Sequence, residues 1–139
     1  MSVKSIKDVE FGDELEPFAP DTTLVNTKAF ADAVGYSGNG RFEDHEKAKA
    51  QGLPGALVPG IMGMAFLTGM IQRWSPVANI QKIDTVFRAP MLADQPLTIS
   101  AVVTDMDPDE GRVELDLSIK NEADETRVFG TANVLLPVE

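Results

Sequence analysis

Hydrophobic residues recur at every second position in the later part of the chain. They are Leu97, Ile99, Ala101 and Val103 in one segment and Val113, Leu115, Leu117 and Ile119 in the next. This period is typical of strands that bury one face. Together with the flanking segments it predicts four strands, at residues 80–88, 97–105, 112–121 and 126–136. The connections at 89–96, 106–111 and 122–125 are short and mostly polar, which predicts antiparallel hairpins.

The segment 59–74 has a different pattern, with apolar side chains around its whole circumference. A helix that is apolar on every side is buried, and Pro59 is suited to its first turn. Glycine costs roughly 1 kcal/mol against alanine inside a helix. Gly60, Gly63 and Gly69 therefore indicate that a backbone or a ligand comes close, and tight packing on a sheet is the simpler interpretation for Gly63 and Gly69.

The first half of the chain predicts shorter elements. Residues 1–12 are expected to be a loose lead-in, and residues 15–23 an extended edge segment, because Pro17 and Pro20 exclude a helix. A helix is predicted at 27–34, capped by Asn26 or Thr27, and a second at 44–51, ending at Gly52. The whole predicts a single α+β domain over residues 1–139, with the central helix lying against a curved antiparallel sheet.

Composition removes several classes of function. The chain carries 22 acidic and 12 basic residues, for a net charge of -10, which disfavours nucleic acid and anionic membranes as partners. It has no cysteine and one histidine, so neither a metal site nor another cofactor is expected. No apolar run reaches the ~20 residues that a membrane span needs, and no secretory signal is apparent, so we expect a cytoplasmic protein.

Two sequence elements resemble the MaoC-like (R)-specific enoyl-CoA hydratase family, whose members have the hot-dog fold. That family has a Gly-Asp-x-Asn-Pro-(Ile/Leu)-His-x-Asp signature and a later (His/Pro)-Gly-Met at the start of the central helix. Here the later element is Val58-Pro59-Gly60-Ile61-Met62, and the upstream one runs from Tyr36 to Ala48. The segment Phe87-Arg88-Ala89-Pro90 also resembles the family's Phe-x-x-Pro. The resemblance covers roughly residues 14–137 and implies a hot-dog fold.

The same alignment implies a site that has lost its acid/base pair. The family's Asp and His positions fall on Ser37 and Phe42, whereas Asn39 and Gly60 match. Phe42 precedes Gly60 by 18 residues, as in the family, so no gap is needed. Serine is a poor base near neutral pH and phenylalanine has no exchangeable proton, so only the backbone N–H of Gly60 remains, as a donor to a thioester oxygen.

Other residues near this motif are candidate ligand contacts. Arg41 is a candidate for a carboxylate or phosphate, although a surface arginine is the simpler interpretation. Asp44 is expected to cap a helix and is a weaker candidate for the site, and His45 is expected to be solvent-facing. Ile61 and Met62 follow Gly60 and are expected to contact substrate. Thr68 faces either the acyl pocket or a carbonyl of its own helix.

Three functions fit this sequence. The first is a family member that binds an acyl-CoA or similar thioester as a non-catalytic or partner-dependent subunit, in a homodimer or in a heterodimer with another hot-dog subunit. The second is an enzyme of altered chemistry on the same scaffold. The third is a homodimeric binding protein for a hydrophobic acyl group or another small apolar ligand, with methionines of the central helix lining its pocket.

Overall fold

A computed structural model describes residues 2–139. The helices are α1 (Leu24–Ala33), α2 (His45–Ala50) and α3 (Gly60–Trp74), preceded by a short 3-10 turn at Ile6–Asp8. The strands are β1 (Leu57–Val58), β2 (Asn79–Phe87), β3 (Met91–Leu92), β4 (Leu97–Asp107), β5 (Arg112–Asn121) and β6 (Thr126–Leu135). The predicted α+β architecture and the four long strands are confirmed, with bounds that differ by at most two residues.

The four long strands form one antiparallel sheet in the order β2-β6-β5-β4. The hairpins β4-β5 and β5-β6 are as predicted, with Ile99 opposite Ile119 and Ile119 opposite Val128. The predicted hairpin between 80–88 and 97–105 is wrong, because β2 pairs with β6 at the far edge. The connection instead contains β3, which pairs with β1, so it crosses from one edge of the sheet to the other.

The core lies between α3 and one face of this sheet. Leu67 and Ile71 on the helix are fully buried, as are Ile99, Val113 and Ile119 on the sheet. Burying each side chain of this size stabilises the fold by ~1.5–3 kcal/mol. Only one side of α3 is buried in this way, so the prediction of a helix buried all round is wrong.

The opposite side of α3 is open, with Ile61 38% exposed. The helix meets the sheet on one face only, and a continuous apolar pattern does not reveal which face that is. No helix among residues 2–139 has the length and apolar character needed to cross a membrane.

The N-terminal segment is ordered, contrary to the predicted loose lead-in. Ser5 and Asp8 form a capping box, and Ile6 and Val9 are buried in the core. The amide of Ile6 donates to the carbonyl oxygen of Pro137 at 2.8 Å. The expected edge segment at 15–23 runs beside β4 without forming a regular strand, and Phe18 makes an isolated antiparallel bridge to Ile99.

Helix starts depend on side-chain caps that the sequence left ambiguous. α1 starts earlier than predicted, because the Thr23 hydroxyl, rather than Asn26 or Thr27, accepts a bond from the Asn26 amide. Asp44 caps α2 through the Lys47 amide, and that helix ends before Gly52, whose φ is 86°. This cap leaves residues 35–44 as a long turn between α1 and α2.

Candidate functional site

A cavity of about 300 Å³ lies at the start of α3. Its walls are β1, the first residue of α3, the end of β2 and the segment through β3. The lining residues are Phe42, Leu57, Val58, Gly60, Phe87, Arg88, Ala89, Pro90, Met91 and Val128. Arg88 is the only charged residue among them, so the cavity is an apolar pocket at the lower end of the size range of ligand sites.

The start of α3 leaves backbone donors free beside this cavity. Pro59 precedes the helix and no side chain caps it. The Pro59 carbonyl accepts bonds from Met62 at 3.0 Å and Gly63 at 3.2 Å, whereas the amides of Gly60 and Ile61 have no acceptor among residues 2–139. Free N–H groups at a helix N-terminus favour a ligand oxygen that carries partial negative charge.

Phe42 and Gly60 line the same cavity, as the family alignment would require if Phe42 stands at the histidine position. The Phe42 ring also stacks on Tyr36, with ring centroids 5.8 Å apart and planes inclined by 30°. Phe42 therefore presents an apolar ring to the cavity and cannot donate or accept a proton.

The loop that carries Ser37 and Asn39 is braced from within. Oε1 of Glu43 accepts bonds from the amides of Gly38 at 2.6 Å and Gly40 at 3.0 Å. These two backbone donors, the Gly40 amide first, lower the pKa of the Glu43 carboxyl group below its ordinary value. Glu43 is thus the residue that shapes this loop, a role the sequence did not reveal.

The candidate loop residues lie outside the cavity lining. Ser37, Asn39 and Arg41 are exposed, and Oδ1 of Asn39 accepts a bond from the Arg41 amide at 2.9 Å. Asp44 acts as the cap of α2, and its bond from the Lys47 amide lowers its carboxyl pKa. These placements give Asn39 and Asp44 local structural bonds in place of a contact with the cavity.

The candidates on α3 also differ from the expectation of ligand contact. Ile61 points to the open side of the helix, and Met62 is 3% exposed within the core. The Thr68 hydroxyl donates to the Ala65 carbonyl at 2.9 Å, which is the second of the two orientations expected. None of the three lines the cavity at Gly60.

His45 was expected to face solvent, and its side chain is 32% exposed, but both of its ring nitrogens are bonded within the chain. Nε2 lies 2.7 Å from Oδ2 of Asp94, and Nδ1 accepts a bond from the Ala56 amide at 3.0 Å. The hydrogen bond from His45, and then the one from the Leu24 amide, lower the pKa of Asp94. His45 and Asp94 are 49 residues apart, and no sequence signal pairs them.

The remaining candidate features are a depression on the outer face of the sheet and groups of residues that could bind a metal ion. A larger open depression of about 860 Å³ lies on the sheet face turned away from α3, lined among others by Asp116, Ser118 and Phe129. Neither Gly60 nor any helix residue lines it, so it has no free helix N-terminus to offer a ligand. Within residues 2–139, no three His, Asp or Glu residues are grouped closely enough to hold a metal ion.

No protein-family model matches the chain, and no curated protein matches it in sequence. Solved structures do match its fold. The R-hydratase PhaJ1 from Pseudomonas aeruginosa is 19% identical with a TM-score of 0.88, over 97% of this chain and 86% of that one. The ChsH1-ChsH2 complex from Mycobacterium tuberculosis is 20% identical with a TM-score of 0.82, over 92% and 98%.

A third match is the C-terminally truncated HadBC complex, a 3R-hydroxyacyl-ACP dehydratase from Mycobacterium tuberculosis. It is 17% identical with a TM-score of 0.66, over 90% of this chain and 96% of that one. At sequence identities of 17–20%, these three matches show that the fold is shared and nothing more. The chain has the hot-dog fold, with α3 lying against a four-stranded antiparallel sheet.

Proposed function

We propose that this protein is a MaoC-like hydratase/dehydratase family member that binds an acyl thioester but does not hydrate it alone, and that it acts as a non-catalytic or partner-dependent subunit. The observation that carries the proposal is the pairing of Phe42 with Gly60 at one cavity. The backbone donor of the family site is present there, and the acid/base side chain is replaced by a hydrocarbon ring.

Hydration of an enoyl thioester requires a base and an acid. Water adds its oxygen to Cβ while losing one proton, and Cα gains a proton. Among the cavity-lining residues only Arg88 is ionisable, and a guanidinium stays protonated at neutral pH. The cavity can therefore hold and polarise a thioester carbonyl through the Gly60 amide, but it offers no proton acceptor.

His45 does not replace the missing base. Nδ1 of its ring accepts the Ala56 amide and Nε2 is bonded to Asp94, so neither nitrogen has a free lone pair with which to orient and activate a water molecule for attack. The ring also lies outside the cavity lining. The only histidine of the chain is thus not available as the general base, which supports the proposal of a partner-dependent subunit.

Two structures of similar fold are complexes, as their names state: ChsH1-ChsH2 and HadBC. The exposed edge of β2 offers this chain a place for a partner strand. β2 pairs with β6 on one side only, and Val86 and Phe87 at its end are 51% and 50% exposed. An unpaired nine-residue edge that ends in two exposed apolar side chains favours strand pairing with another subunit, either a second copy or a different hot-dog chain. The proposed location is the cytoplasm.

The test is to give crotonyl-CoA to the purified chain and follow the loss of the conjugated double bond. We expect binding by calorimetry without turnover, and turnover after addition of a hot-dog partner that carries the Asp/His pair. Hydration by the chain alone at a rate typical of hydratases would contradict the proposal. Binding of free apolar acids with no preference for the CoA ester would favour the alternative of a binding protein for small apolar ligands.

A further inference from the structure

We infer that His45 is a positioning residue for the cavity at Gly60, and that protonation of its Nδ1 releases the segment leading into β1. The inference rests on the proposed function for its ligand, but its structural part stands on the hydrogen bonds of His45. These bonds join α2 to two other segments, at Ala56, 11 residues along the chain from His45, and at Asp94, 49 residues along.

The two bonds define the protonation state of the ring. The Ala56 amide is a donor, so Nδ1 must present a lone pair to it. The proton of the neutral ring is therefore on Nε2, where it is donated to the Asp94 carboxylate. A second proton on Nδ1 would place two N–H groups against each other at 3.0 Å, and the bond to Ala56 would be lost.

The Ala56 side of this bridge leads directly to the cavity. Ala56 accepts a bond from the Ala93 amide at 2.9 Å, and the next residue, Leu57, donates to the Arg41 carbonyl at 2.9 Å. Leu57 and Val58 line the cavity. Because Gly60 follows two residues after Val58, a shift at Ala56 changes the position of the cavity wall and of its backbone donors.

The Asp94 side is fixed more firmly. Its Oδ1 accepts a bond from the Leu24 amide at 2.8 Å, and its own amide donates to the Thr22 carbonyl at 2.7 Å. Asp94 has a φ of 67°, so this turn is held in a left-handed conformation by its contacts. The segment at 22–24 thus anchors Asp94 independently of His45, through the carboxylate at Leu24 and through the backbone at Thr22.

Two carboxylates lie near the ring. Asp94 faces it from the turn after β3 and Asp44 lies at the cap of α2, while the Ala56 amide is the backbone group bonded to it. A ring that carries protons on both nitrogens still donates from Nε2 to Asp94, whereas its Nδ1 has no lone pair left for the Ala56 amide. On acidification we therefore expect the His45–Asp94 contact to persist and the His45–Ala56 bond to break.

The chain is well suited to a test, because it has one histidine and no cysteine. Imidazole is the side chain that ordinarily titrates between pH 5 and 8. An isotope-labelled chain is titrated from about pH 8 to pH 5, with the His45 ring and the Ala56 and Leu24 amides followed by NMR. We expect the Ala56 amide to shift and to exchange faster in step with the ring, while the Leu24 amide stays protected.

Calorimetry with crotonyl-CoA over the same pH range measures the effect on the site. We expect the affinity of the wild-type chain to fall about fivefold as the ring becomes protonated, since one hydrogen bond is lost. The matched control is His45→Asn, whose side-chain oxygen can replace Nδ1 as acceptor but does not titrate. His45→Gln serves as the second variant, because its amide can still reach towards Asp94.

Titration of the crotonyl-CoA phosphate is common to all three proteins and cancels in the comparison. An affinity that changes with pH in His45→Asn as it does in the wild type would overturn the inference. So would an Ala56 amide that is unaffected while the ring titrates. If crotonyl-CoA binds at no pH, the proposed function fails, and the Ala56 amide still decides whether His45 holds β1.

Discussion

The ring of Phe87 lies directly over the α-carbon of Gly60. A Cβ at position 60 would come within 3.1 Å of Cε1 of Phe87 and within 3.2 Å of its Cδ1 and Cζ. Glycine at this position is therefore required for the close packing of the ring. The contact joins the start of α3 to the end of β2, so it forms one wall of the cavity.

Gly60→Ala is expected to displace the Phe87 ring. Because that ring is 50% exposed it can move outward, and we expect a cost of only about 1 kcal/mol, at the low end for an overpacked site. Urea unfolding of Gly60→Ala, Phe87→Ala and the double variant measures the coupling. Alanine at 60 should cost little in the Phe87→Ala background, and an equal cost in both backgrounds would show that the ring is not the cause.

Gly63 and Gly69 should respond in opposite directions to alanine. A Cβ on Gly63 would lie 2.9 Å from Cε of Met91 and 3.2 Å from Cδ1 of Ile119, whereas nothing lies within 4 Å of one on Gly69. Gly69→Ala should stabilise the helix by about 0.5–1 kcal/mol. Gly63→Ala should gain the same propensity but cost about 1–3 kcal/mol in overpacking. Equal stability of the two variants in urea would contradict this difference.

Glu43→Gln should lower the melting temperature in a manner that depends on pH. The Glu43 pKa is lowered in the folded chain by the Gly40 and Gly38 amides, so its contribution is complete above the unfolded value, near 4.5. The contribution is lost as the pH falls through the folded pKa. The wild type should therefore melt above Glu43→Gln at about pH 6, and the difference should shrink at about pH 3.

The matched control for that comparison is Glu122→Gln. Glu122 is exposed in the turn between β5 and β6, and its carboxylate makes no hydrogen bond or ion pair with residues 2–139. Glu122→Gln removes the same single negative charge as Glu43→Gln, from a chain of net charge -10. A pH-dependent loss of equal size in both variants would attribute the effect to net charge and not to the braced loop.

The alternation of apolar residues predicted the strands well, but it did not predict which strands are neighbours. Ile99 and Ile119 face the core as the period of two requires. The same period is satisfied whether β2 pairs with β4 or with β6, since alternation identifies the buried face of a strand and not its partner. The connection from β2 to β4 contains β3, which pairs with β1, and two-residue strands leave no recognisable pattern in a sequence.

Only part of the candidate site could be predicted from the sequence. Phe42 and Gly60, which were aligned with the family motif 18 residues apart, line one cavity, and their roles there stay a prediction. The contacts of His45 with Asp94 and of Phe87 with Gly60 join segments that are 49 and 27 residues apart. Such pairings arise from the three-dimensional packing, for which a single sequence contains no local signal.

The strongest test of the alignment with the family motif is to restore the missing acid/base pair with Ser37→Asp and Phe42→His together. Phe42 lines the cavity beside Gly60, so an imidazole there would meet a bound thioester. Ser37 is exposed outside the lining, so the double variant also tests whether a carboxylate on this loop reaches the bound thioester. We expect crotonyl-CoA hydration at least ~10²-fold above the wild type, the scale of general acid–base catalysis. Either single variant should stay near the wild-type rate, because each supplies only half of the proton transfers.

Loss of the Tyr36 stacking should cost about 1 kcal/mol, so folding is checked by NMR. A folded double variant that binds crotonyl-CoA without hydrating it would show that positions 37 and 42 do not correspond to the family's acid and base.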